Sequence, residues 1–386
     1  MAIAQITLPP KLESALQLGH PWVYRDHIQR SFRAASGAWV RVTCGRFEAF
    51  GLWDNDGPIA VRLFSQEQAP DLAWFEQRLR AAFELRSAIR EGQPQTNAYR
   101  LLFGEGDGVP GLVIDRYADF SVVLTYAPSL GRLVPWVREA LERVAPGRGV
   151  VHKRGAELTL LSGEPPPERL TVVENGLRFQ VAIGVGQKSG LFLDHRENRA
   201  HAESLACGRR VLNLFSYSGA FSLYAGRGGA SQLTSVDVSQ GALDDARANF
   251  ALNGFQPADH EFVAADVFEY LESAARQGRR FDLVICDPPS FAKSRDQLKK
   301  ALRAYERVNR LALKVITPHG LLASASCTSQ VSAEAFRGVL AEAASRARVR
   351  LQMIHEAGHA VDHPVMAQHI EGRYLKYVVS RVVPVS

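Results

Sequence analysis

An acidic residue followed by two prolines stands directly after an apolar stretch at residues 281–286. The segment reads Asp287-Pro288-Pro289. Each proline lacks a backbone N–H and fixes φ, so the chain must leave any β-sheet at this point. The pattern therefore predicts a strand that ends at Cys286 and a carboxylate held open at its carboxyl end, where it can contact a ligand.

Three further predicted strand ends carry residues that suit a nucleoside cofactor. The strand ending near Asn213 is followed by one glycine, Gly219, instead of the three that a dinucleotide pyrophosphate requires. Asp237 ends the next strand and can accept both ribose hydroxyls, while Asp266 follows a third and can meet an adenine amino group. The pattern favours S-adenosylmethionine over NAD, although either acid alone could be a helix N-cap or a turn residue. The predicted cofactor-binding residues at these ends are Asn213, Phe215, Ser216, Tyr217, Gly219, Asp237, Val238, Ser239, Asp266, Val267 and Asp287.

A cysteine, Cys327, ends a fifth apolar stretch. In a sheet wound in the usual order this stretch lies beside the strand of Asp287. C5 of cytosine is a poor nucleophile until a thiolate adds to C6, so carbon methylation requires a cysteine near the acid. A helix start and a sulfonium nearby would lower the pKa of such a thiol. The sequence leaves open that Cys327 only fills space, as most free cysteines do.

The elements that position these residues are predicted from about residue 171 onward, where strands alternate with helical segments. Such alternation predicts a doubly wound parallel sheet in a Rossmann-like α/β domain, residues 171–386, with two closing strands at the end. Residues 1–68 read as short strands with turns, which predicts a small β-barrel-like module. Residues 69–170 are expected to form a small α+β connecting domain that begins with a helix from Asp71 to Ile89.

Composition is that of a globular protein with 46% hydrophobic residues and a net charge of +6. Basic and acidic residues are interleaved, which permits a nucleic-acid partner without requiring one. Four scattered cysteines without a CxxC pair suggest neither a disulfide framework nor a zinc knuckle. No apolar run is long enough to span a membrane, and the first twenty residues are not typical of a signal peptide. We therefore expect a cytoplasmic protein with no membrane partner and no metal.

The chain resembles bacterial large-subunit ribosomal RNA cytosine-5 methyltransferases that carry an N-terminal PUA domain. The resemblance covers nearly the whole sequence. The matching segments are GHPWVYRDHI, FGEGDGVPGLVIDRYAD, GQKSGLFLDHREN, VLNLFSYSGAFS, SVDVS, DPPSFAKS, SCTSQV, DHPV and EGRYLKYV. The resemblance implies a PUA RNA-binding module, a class I methyltransferase fold, S-adenosylmethionine as donor and a cytosine of 23S rRNA as target. The family also allows a homodimer.

The resemblance also implies roles for individual residues. Cys327 would be the nucleophile, and Asp287 would stabilise or protonate the attacked ring. Phe291 would shape the base pocket. A segment before the first strand would fold over the cofactor through Lys188, Phe192, Asp194 and Arg196. The expected substrate-binding residues are Lys188, Pro288, Pro289, Phe291, His20 and Trp22, although packing of a barrel edge would also explain His20 and Trp22.

This chain departs from the family pattern at two positions. His195 stands where glutamine is common, and Ser290 stands where another subgroup of RNA cytosine-5 enzymes has a second cysteine. The base that removes the C5 proton is therefore unassigned.

Two other functions compete with carbon methylation. A methyltransferase for an exocyclic amine, guanine N2 or adenine N6, would need Asp287 but not Cys327. Asp-Pro-Pro followed by an aromatic is typical of nitrogen methylation, but here the aromatic, Phe291, comes one position late. A non-catalytic RNA-binding protein would be expected to have lost Asp237, Asp287 or Cys327.

The HExxH pattern at residues 355–359 suits zinc only on a helix, and its surroundings read as a strand.

Overall fold

The computed structural model describes residues 3–92, 95–155, 157–184, 190–292 and 295–385. The chain divides into two compact units. The first comprises Met1–Gly176, Ala182–Ser189 and Asp362–Gly372, and the second comprises Leu177–Val181, Gly190–Val361 and Arg373–Ser386. Among the helices of the described residues, none is long and apolar enough to cross a membrane.

The first unit begins with a five-stranded sheet in the order β1-β3-β4-β5-β2, in which β1 and β3 are parallel and the other pairs antiparallel. Alternate residues such as Val40 and Val42 are fully buried, as expected for a sheet with one face on a core. This sheet is the PUA-like module predicted from the sequence. Its elements are β1 (Ala4–Thr7), α1 (Glu13–Gln17), β2 (Trp22–Tyr24), β3 (Trp39–Cys44), β4 (Phe47–Trp53) and β5 (Ile59–Ser65).

The same unit contains a second five-stranded sheet in the order β10-β9-β8-β7-β6. Its apolar core includes Phe75 and Leu79 of α2 and Val137 and Leu141 of α4. The two domain boundaries predicted from the sequence, after residues 68 and 170, stay predictions. The elements are α2 (Leu72–Leu85), α3 (Ser87–Arg90), β6 (Ala98–Phe103), β7 (Leu112–Tyr117), β8 (Phe120–Thr125), α4 (Val134–Val144), β9 (Gly149–Arg154), β10 (Glu157–Gly163) and β11 (Leu170–Glu174).

The single helix predicted from Asp71 to Ile89 is confirmed over most of its length and is wrong near its end, where it is interrupted. Asp71 does cap α2, because its side chain accepts the Trp74 amide. The helix ends at Leu85, and Arg86 separates it from α3. The Arg86 side chain is fully buried and its guanidinium forms a salt bridge with Asp107 at 2.7 Å. A buried, fully bonded arginine thus sets the break, and apolar periodicity does not report it.

The second unit contains the strand–helix alternation. Its elements are β12 (Leu177–Val181), α5 (Arg196–Ser204), β13 (Arg210–Leu214), α6 (Ala220–Arg227), β14 (Gln232–Asp237), α7 (Gln240–Leu252), β15 (Glu261–Ala264), α8 (Val267–Arg276), β16 (Phe281–Cys286), α9 (Leu298–Leu313), β17 (Ile316–Ser326), α10 (Ala333–Ala347), β18 (Val349–Ala357) and β19 (Lys376–Pro384).

These strands form a seven-stranded sheet in the order β15-β14-β13-β16-β17-β19-β18. The five strands from β15 to β17 are parallel, and β19 and β18 close the sheet in antiparallel pairing. The class I methyltransferase fold and its two closing strands are confirmed. The order reverses between β13 and β16, which is where open α/β sheets bind ligands, beyond the carboxyl ends of the strands.

The pairing of β16 with β17 fixes the neighbours of the site. Cys286 lies opposite Ser324 in this parallel pair, so the chain of Asp287 and that of Cys327 leave the sheet side by side. Residues 283–286 are all buried, as is typical of a central parallel strand covered on both faces. The predicted adjacency of these two strands is confirmed.

Candidate active site

The turn between β13 and α6 is held in an unusual backbone conformation. Phe215 and Tyr217 have φ angles of 57° and 48°, in the left-handed region that non-glycine residues rarely adopt. Gly219 has a φ of 78°, and a Cβ there would lie 2.8 Å from the Ala246 Cβ. Such strain concentrates at ligand-binding turns and persists only where the surroundings enforce it.

The carboxylate of Asp237 is oriented by two backbone amides. Its Oδ2 accepts the Tyr217 amide at 2.8 Å and its Oδ1 accepts the Ser239 amide at 2.9 Å. The carboxylate is thereby fixed at the carboxyl end of β14, between the two loops of the crevice. The next residue, Val238, is 78% exposed, and its apolar side chain is available to pack against a flat ligand.

One polar atom beside this turn is buried without a partner. The Ser216 hydroxyl oxygen accepts no hydrogen bond and donates none within the part of the chain that the structure describes. Buried polar atoms are normally paired, so an unpaired hydroxyl beside a ligand crevice fits one that bonds a bound molecule. The glycine turn, the fixed carboxylate and this hydroxyl together suit an adenosyl cofactor.

Asn213 does not direct its side chain to the crevice. The side chain is 2% exposed, and its Nδ2 donates to the Ser222 hydroxyl at 2.9 Å. Ser222 is in turn 2.7 Å from the Ser235 hydroxyl. The Asn213 amide therefore bonds inside the domain, and its contact with the cofactor stays a prediction.

Asp266 caps the helix α8, which was the alternative interpretation of this residue. Its Oδ1 accepts the amides of Phe268 and Glu269 at 2.8 and 3.1 Å, and the residue is exposed. Ser239 caps α7 in the same way, and Val267 is buried. Capping holds these residues at the rim of the crevice and leaves their contact with a cofactor a prediction.

Asp287 lies beside a buried histidine. The Nε2 atom of His195 is 3.4 Å from the Asp287 Oδ2, and His195 is 4% exposed. Asn198 donates from Nδ2 to the His195 Nδ1 and to the Gly358 carbonyl, both at 3.1 Å. With Nδ1 as the acceptor, the ring hydrogen on Nε2 faces Asp287.

Two opposing influences act on the pKa of His195. Burial favours the neutral ring, but the charge of Asp287, its hydrogen bond and the charge of Asp194 together raise the pKa of His195. His195 therefore stays protonated beside the Asp287 carboxylate at pH values where an ordinary histidine has lost its proton.

The expectation that Cys327 has a lowered pKa is wrong for the ligand-free protein. Burial, followed by the charges of Asp287 and Asp194, raises the pKa of the Cys327 thiol to about 12. The helix start invoked from the sequence does not oppose this shift, because α10 begins only at Ala333. Cys286, predicted to be a buried filler, is fully buried, and burial raises its pKa as well.

A buried lysine, Lys376, is a member of this cluster that the sequence analysis did not identify. Lys376 begins β19 opposite Ser326, and its Nζ donates to the carbonyls of Thr328 and Tyr374, both at 2.7 Å. Burial lowers the pKa of Lys376 to about 8, whereas Cys327 acts in the opposite direction. A lysine inside an otherwise apolar strand was the available signal, because such residues are rarely buried unless bonded.

The residues after Asp287 form one wall of the crevice. Pro288 is buried and Pro289 is exposed. The Phe291 ring packs edge-on against Tyr305, with 4.8 Å between ring centroids. Ser290 stands where another subgroup of RNA cytosine-5 enzymes has a second cysteine. Its hydroxyl donates to a backbone carbonyl at 2.9 Å.

The segment before α5 was predicted to fold over the cofactor. Phe192 is 41% exposed and its ring lies 5.5 Å from that of Tyr217. Asp194 accepts the Tyr374 hydroxyl at 2.6 Å. Arg196 is buried and pairs with Glu197. Lys188, predicted to bind substrate or cofactor, lies outside the described residues.

The remaining predicted residues have packing roles. Trp22 of β2 donates from its indole nitrogen to Glu105 at 2.9 Å, and its ring lies 4.3 Å from that of His369. RNA contact by His20 and Trp22 stays a prediction.

His355 of the HExxH pattern lies in the strand β18, so the helix that a zinc protease needs is absent from that pattern.

Two family models match the sequence. Residues 148–365 match S-adenosylmethionine-dependent methyltransferases and residues 6–66 match a PUA-like domain. The chain belongs to the S-adenosylmethionine-dependent methyltransferase family. Its cofactor is S-adenosylmethionine, as the strand ends predicted.

Relatives share the whole architecture. A ribosomal RNA large subunit methyltransferase of Deinococcus radiodurans is 41% identical, over 93% of each chain. A ribosomal RNA large subunit methyltransferase I of Yersinia pestis is 38% identical, over 96% of this chain and 97% of its own. Among solved structures, a Streptococcus mutans protein assigned as a SAM-dependent methyltransferase superposes with a TM-score of 0.89 at 25% identity, covering 98% of this chain and 100% of its own. A protein assigned as a methyltransferase and solved with SAH superposes with a TM-score of 0.90, also at 25% identity and with the same coverage.

Proposed function

We propose that this protein methylates C5 of a cytosine in 23S ribosomal RNA through a covalent bond between Cys327 and C6 of the base. The observation that carries the proposal is the parallel pairing of β16 and β17. This pairing sets Asp287 and Cys327 at neighbouring strand ends, at the edge of the sheet where the cofactor crevice lies.

The relatives support ribosomal RNA as the substrate, because those from Deinococcus radiodurans and Yersinia pestis are both named large subunit methyltransferases. The PUA-like module supports RNA as the partner class, and the net charge of +6 is compatible with it. We propose a cytoplasmic enzyme that acts on a cytosine flipped out of the RNA stack, either alone or as a homodimer.

The Cys327 thiolate would begin the reaction by adding to C6 of the cytosine. The electron pair of the C5–C6 double bond moves toward N3 and makes C5 nucleophilic. S-adenosylmethionine supplies an electrophilic methyl group when bound. C5 then takes up the methyl group and loses its proton, and elimination of the Cys327 sulfur restores the aromatic ring.

Asp287 and His195 would neutralise the negative charge that forms on the cytosine ring. Addition at C6 places negative charge on N3, which a proton or a strong hydrogen bond must neutralise. Asp287 would pass a proton to N3, and His195, whose Nε2 lies 3.4 Å from the Asp287 Oδ2, would supply that proton to the carboxylate. The raised pKa of His195 suits that role near neutral pH.

Nucleoside mass spectrometry tests the proposal directly. Unmodified 23S rRNA is incubated with S-adenosylmethionine and the protein, digested, and analysed for the methylated nucleoside. We expect 5-methylcytidine as the product. A methyl group on guanine N2 or adenine N6 would instead support the amino-group alternative, and no product with any rRNA would support a non-catalytic RNA-binding protein.

Asp237→Asn is expected to weaken cofactor binding by about 10–100-fold, the range for losing hydrogen bonds to a charged group. The substitution removes the carboxylate charge while keeping the size of the side chain at the end of β14. Calorimetric titration with S-adenosylhomocysteine measures the change. Asp244→Asn is the control, since Asp244 is 61% exposed and pairs with Arg247 on the outer face of α7. Equal affinities for both variants would remove Asp237 from the site.

Alkylation of Cys327 tests how the thiol is activated. Its pKa of about 12 predicts slow reaction with iodoacetamide in the ligand-free protein, rising with pH up to that value. We expect S-adenosylmethionine, whose sulfonium is cationic, to accelerate alkylation relative to the neutral S-adenosylhomocysteine. The measurement uses a Cys207→Ser background, because Cys207 is exposed. Equal rates with both ligands would exclude activation by the sulfonium.

Lys376→Met is expected to slow that alkylation below about pH 8, where the ammonium is charged, since it removes a cation that lowers the pKa of Cys327. A purely structural role for Lys376 would reduce thermal stability without changing the pH profile of alkylation. Lys376→Arg, which keeps the charge, should recover part of the rate.

A further inference from the structure

A cluster of two histidines and a glutamate lies in the first unit, and none of its members takes part in the chemistry proposed above. The residues are His20, His369 and Glu371, and their candidate ligand atoms all lie within 4.8 Å of one another. The Nδ1 of His369 is 3.2 Å from the Glu371 Oε2, and the Nε2 of His20 is 4.0 Å from the Glu371 Oε1. Zinc bonds of about 2.0–2.1 Å in a tetrahedral site place neighbouring ligand atoms about 3.3 Å apart, so small side-chain shifts would complete the geometry.

The most informative atom of the cluster is the Nδ1 of His369. His369 is 2% exposed, and this nitrogen forms no hydrogen bond among the residues for which the structure gives positions, although the Glu371 Oε2 lies 3.2 Å away. Buried polar atoms of this kind are rare, and each requires an explanation such as a bound ion. Glu371 is 48% exposed, which leaves a path by which an ion could enter.

The backbone holds these side chains in place. Gly19 has a φ of 95°, which turns the chain between α1 and β2, and the His20 amide donates to the Ala15 carbonyl at 3.1 Å. The His369 amide donates to the Met366 carbonyl at 2.9 Å, and Glu371 follows in a 3-10 turn. The site thus joins the start of β2 to a turn far away in sequence.

The second ring nitrogen of His20 is oriented as in metal sites. Its Nδ1 lies 3.1 Å from the Trp22 carbonyl oxygen and 3.3 Å from the Trp22 amide nitrogen, so it donates to the first in one tautomer and accepts from the second in the other. In the tautomer that donates to this carbonyl, Nε2 keeps a lone pair directed toward Glu371. Metal-ligating histidines commonly use their other nitrogen in this way.

The charge around the cluster favours a cation. Two carboxylates, Glu105 and Glu371, act on the His369 ring with negative charge. Glu105 accepts the Trp22 indole hydrogen at 2.9 Å and adds a second carboxylate near the two imidazoles.

We propose that His20, His369 and Glu371 bind a divalent transition-metal ion, with zinc as the best fit to two imidazoles and one carboxylate. The ion joins two segments that are distant in the sequence and leaves one coordination position for water. The site departs from the sequence analysis, which expected no metal, because no local spacing brings residue 20 to residues 369 and 371.

Metal binding to the full-length protein without a histidine tag tests the proposal. After incubation with one equivalent of zinc and desalting, we expect about one bound zinc per chain by mass spectrometry of the metal. Cobalt(II) should give the visible absorption of a tetrahedral site and be displaced by zinc. Zinc should also raise the midpoint of thermal unfolding.

Two variants and one control identify the ligands. Glu371→Gln, at an exposed position that tolerates substitution, and His369→Asn should each weaken zinc binding by at least about tenfold, the smallest loss usual for altering a metal site. His27→Asn is the control, because His27 lies 3.7 Å from Asp26 in the same unit without a third ligand. The proposal is overturned if the protein retains no zinc, or if Glu371→Gln and His369→Asn bind zinc as tightly as the His27→Asn control.

Discussion

Cys327→Ser is expected to lower methyl transfer to RNA by at least about 10³-fold, the scale of losing a covalent nucleophile. The hydroxyl of serine has nearly the shape of the thiol but is a far weaker nucleophile toward C6. The structure sets Cys327 beside the carboxyl end of β16, so the substitution removes the attacking atom and leaves the crevice intact. Single-turnover assays with tritiated S-adenosylmethionine measure the loss.

Two controls separate chemistry from folding in this experiment. Cys207→Ser changes an exposed cysteine and should leave the rate unaltered. The affinity of the Cys327→Ser protein for S-adenosylhomocysteine should remain within about threefold of the wild-type affinity. Groups that share no contacts affect free energies independently, to within a few tenths of a kcal/mol. A Cys327→Ser protein that methylates within about tenfold of the wild-type rate would mean that no thiolate addition occurs.

Asp287→Asn is expected to reduce kcat by about 10²–10⁴-fold, the usual contribution of a positioned acid or base. The amide cannot carry the charge or the proton that N3 requires. The same substitution should lower the pKa of His195, because burial would then act on the ring without the opposing carboxylate. A titration of the His195 ring followed by NMR measures that change, which a merely structural role of Asp287 would not produce.

Asp282→Asn is the matched control on the same strand. Asp282 pairs with Arg210 at 3.0 Å, and that hydrogen bond lowers the pKa of Asp282 to about 2. A lowered folded-state pKa means that its stabilisation is present above the ordinary value near pH 4 and is lost as pH falls toward 2. We expect Asp282→Asn to reduce stability at neutral pH and to leave kcat unchanged. An equal loss of kcat in both variants would reduce the role of Asp287 to strand stability.

The sequence was sufficient to predict the residues that stand at strand ends. Parallel strands present their carboxyl ends at one edge, so recognising the strands of Asp237, Asp287 and Cys327 already placed these residues together. The order of the sheet confirms the neighbourhood of the last two. The direction of individual side chains could not be predicted in the same way. Asn213 lies at the predicted strand end, but its side chain donates to Ser222 in the interior of the domain.

Pairs formed across long stretches of chain could not be predicted from local patterns. His195 was noticed as an unusual residue, but its partner Asp287 follows β16, far along the chain. Lys376 stands out as a lysine at the start of an apolar strand, but its partners, the carbonyls of Thr328 and Tyr374, are brought to it only by folding. The raised pKa of Cys327 likewise depends on burial and on two carboxylates, Asp194 and Asp287, brought together only by folding.

Trapping of a covalent complex tests the central claim most directly. An RNA substrate carrying 5-fluorocytidine in place of cytidine accepts thiolate addition and methyl transfer, but fluorine cannot leave as a proton does, so the sulfur–C6 bond persists. With S-adenosylmethionine we predict a protein–RNA adduct that survives denaturing electrophoresis and that peptide mass spectrometry locates at Cys327. The Cys327→Ser protein should form none. Absence of an adduct from a wild-type protein that still methylates ordinary RNA, or an adduct at another residue, would contradict the mechanism.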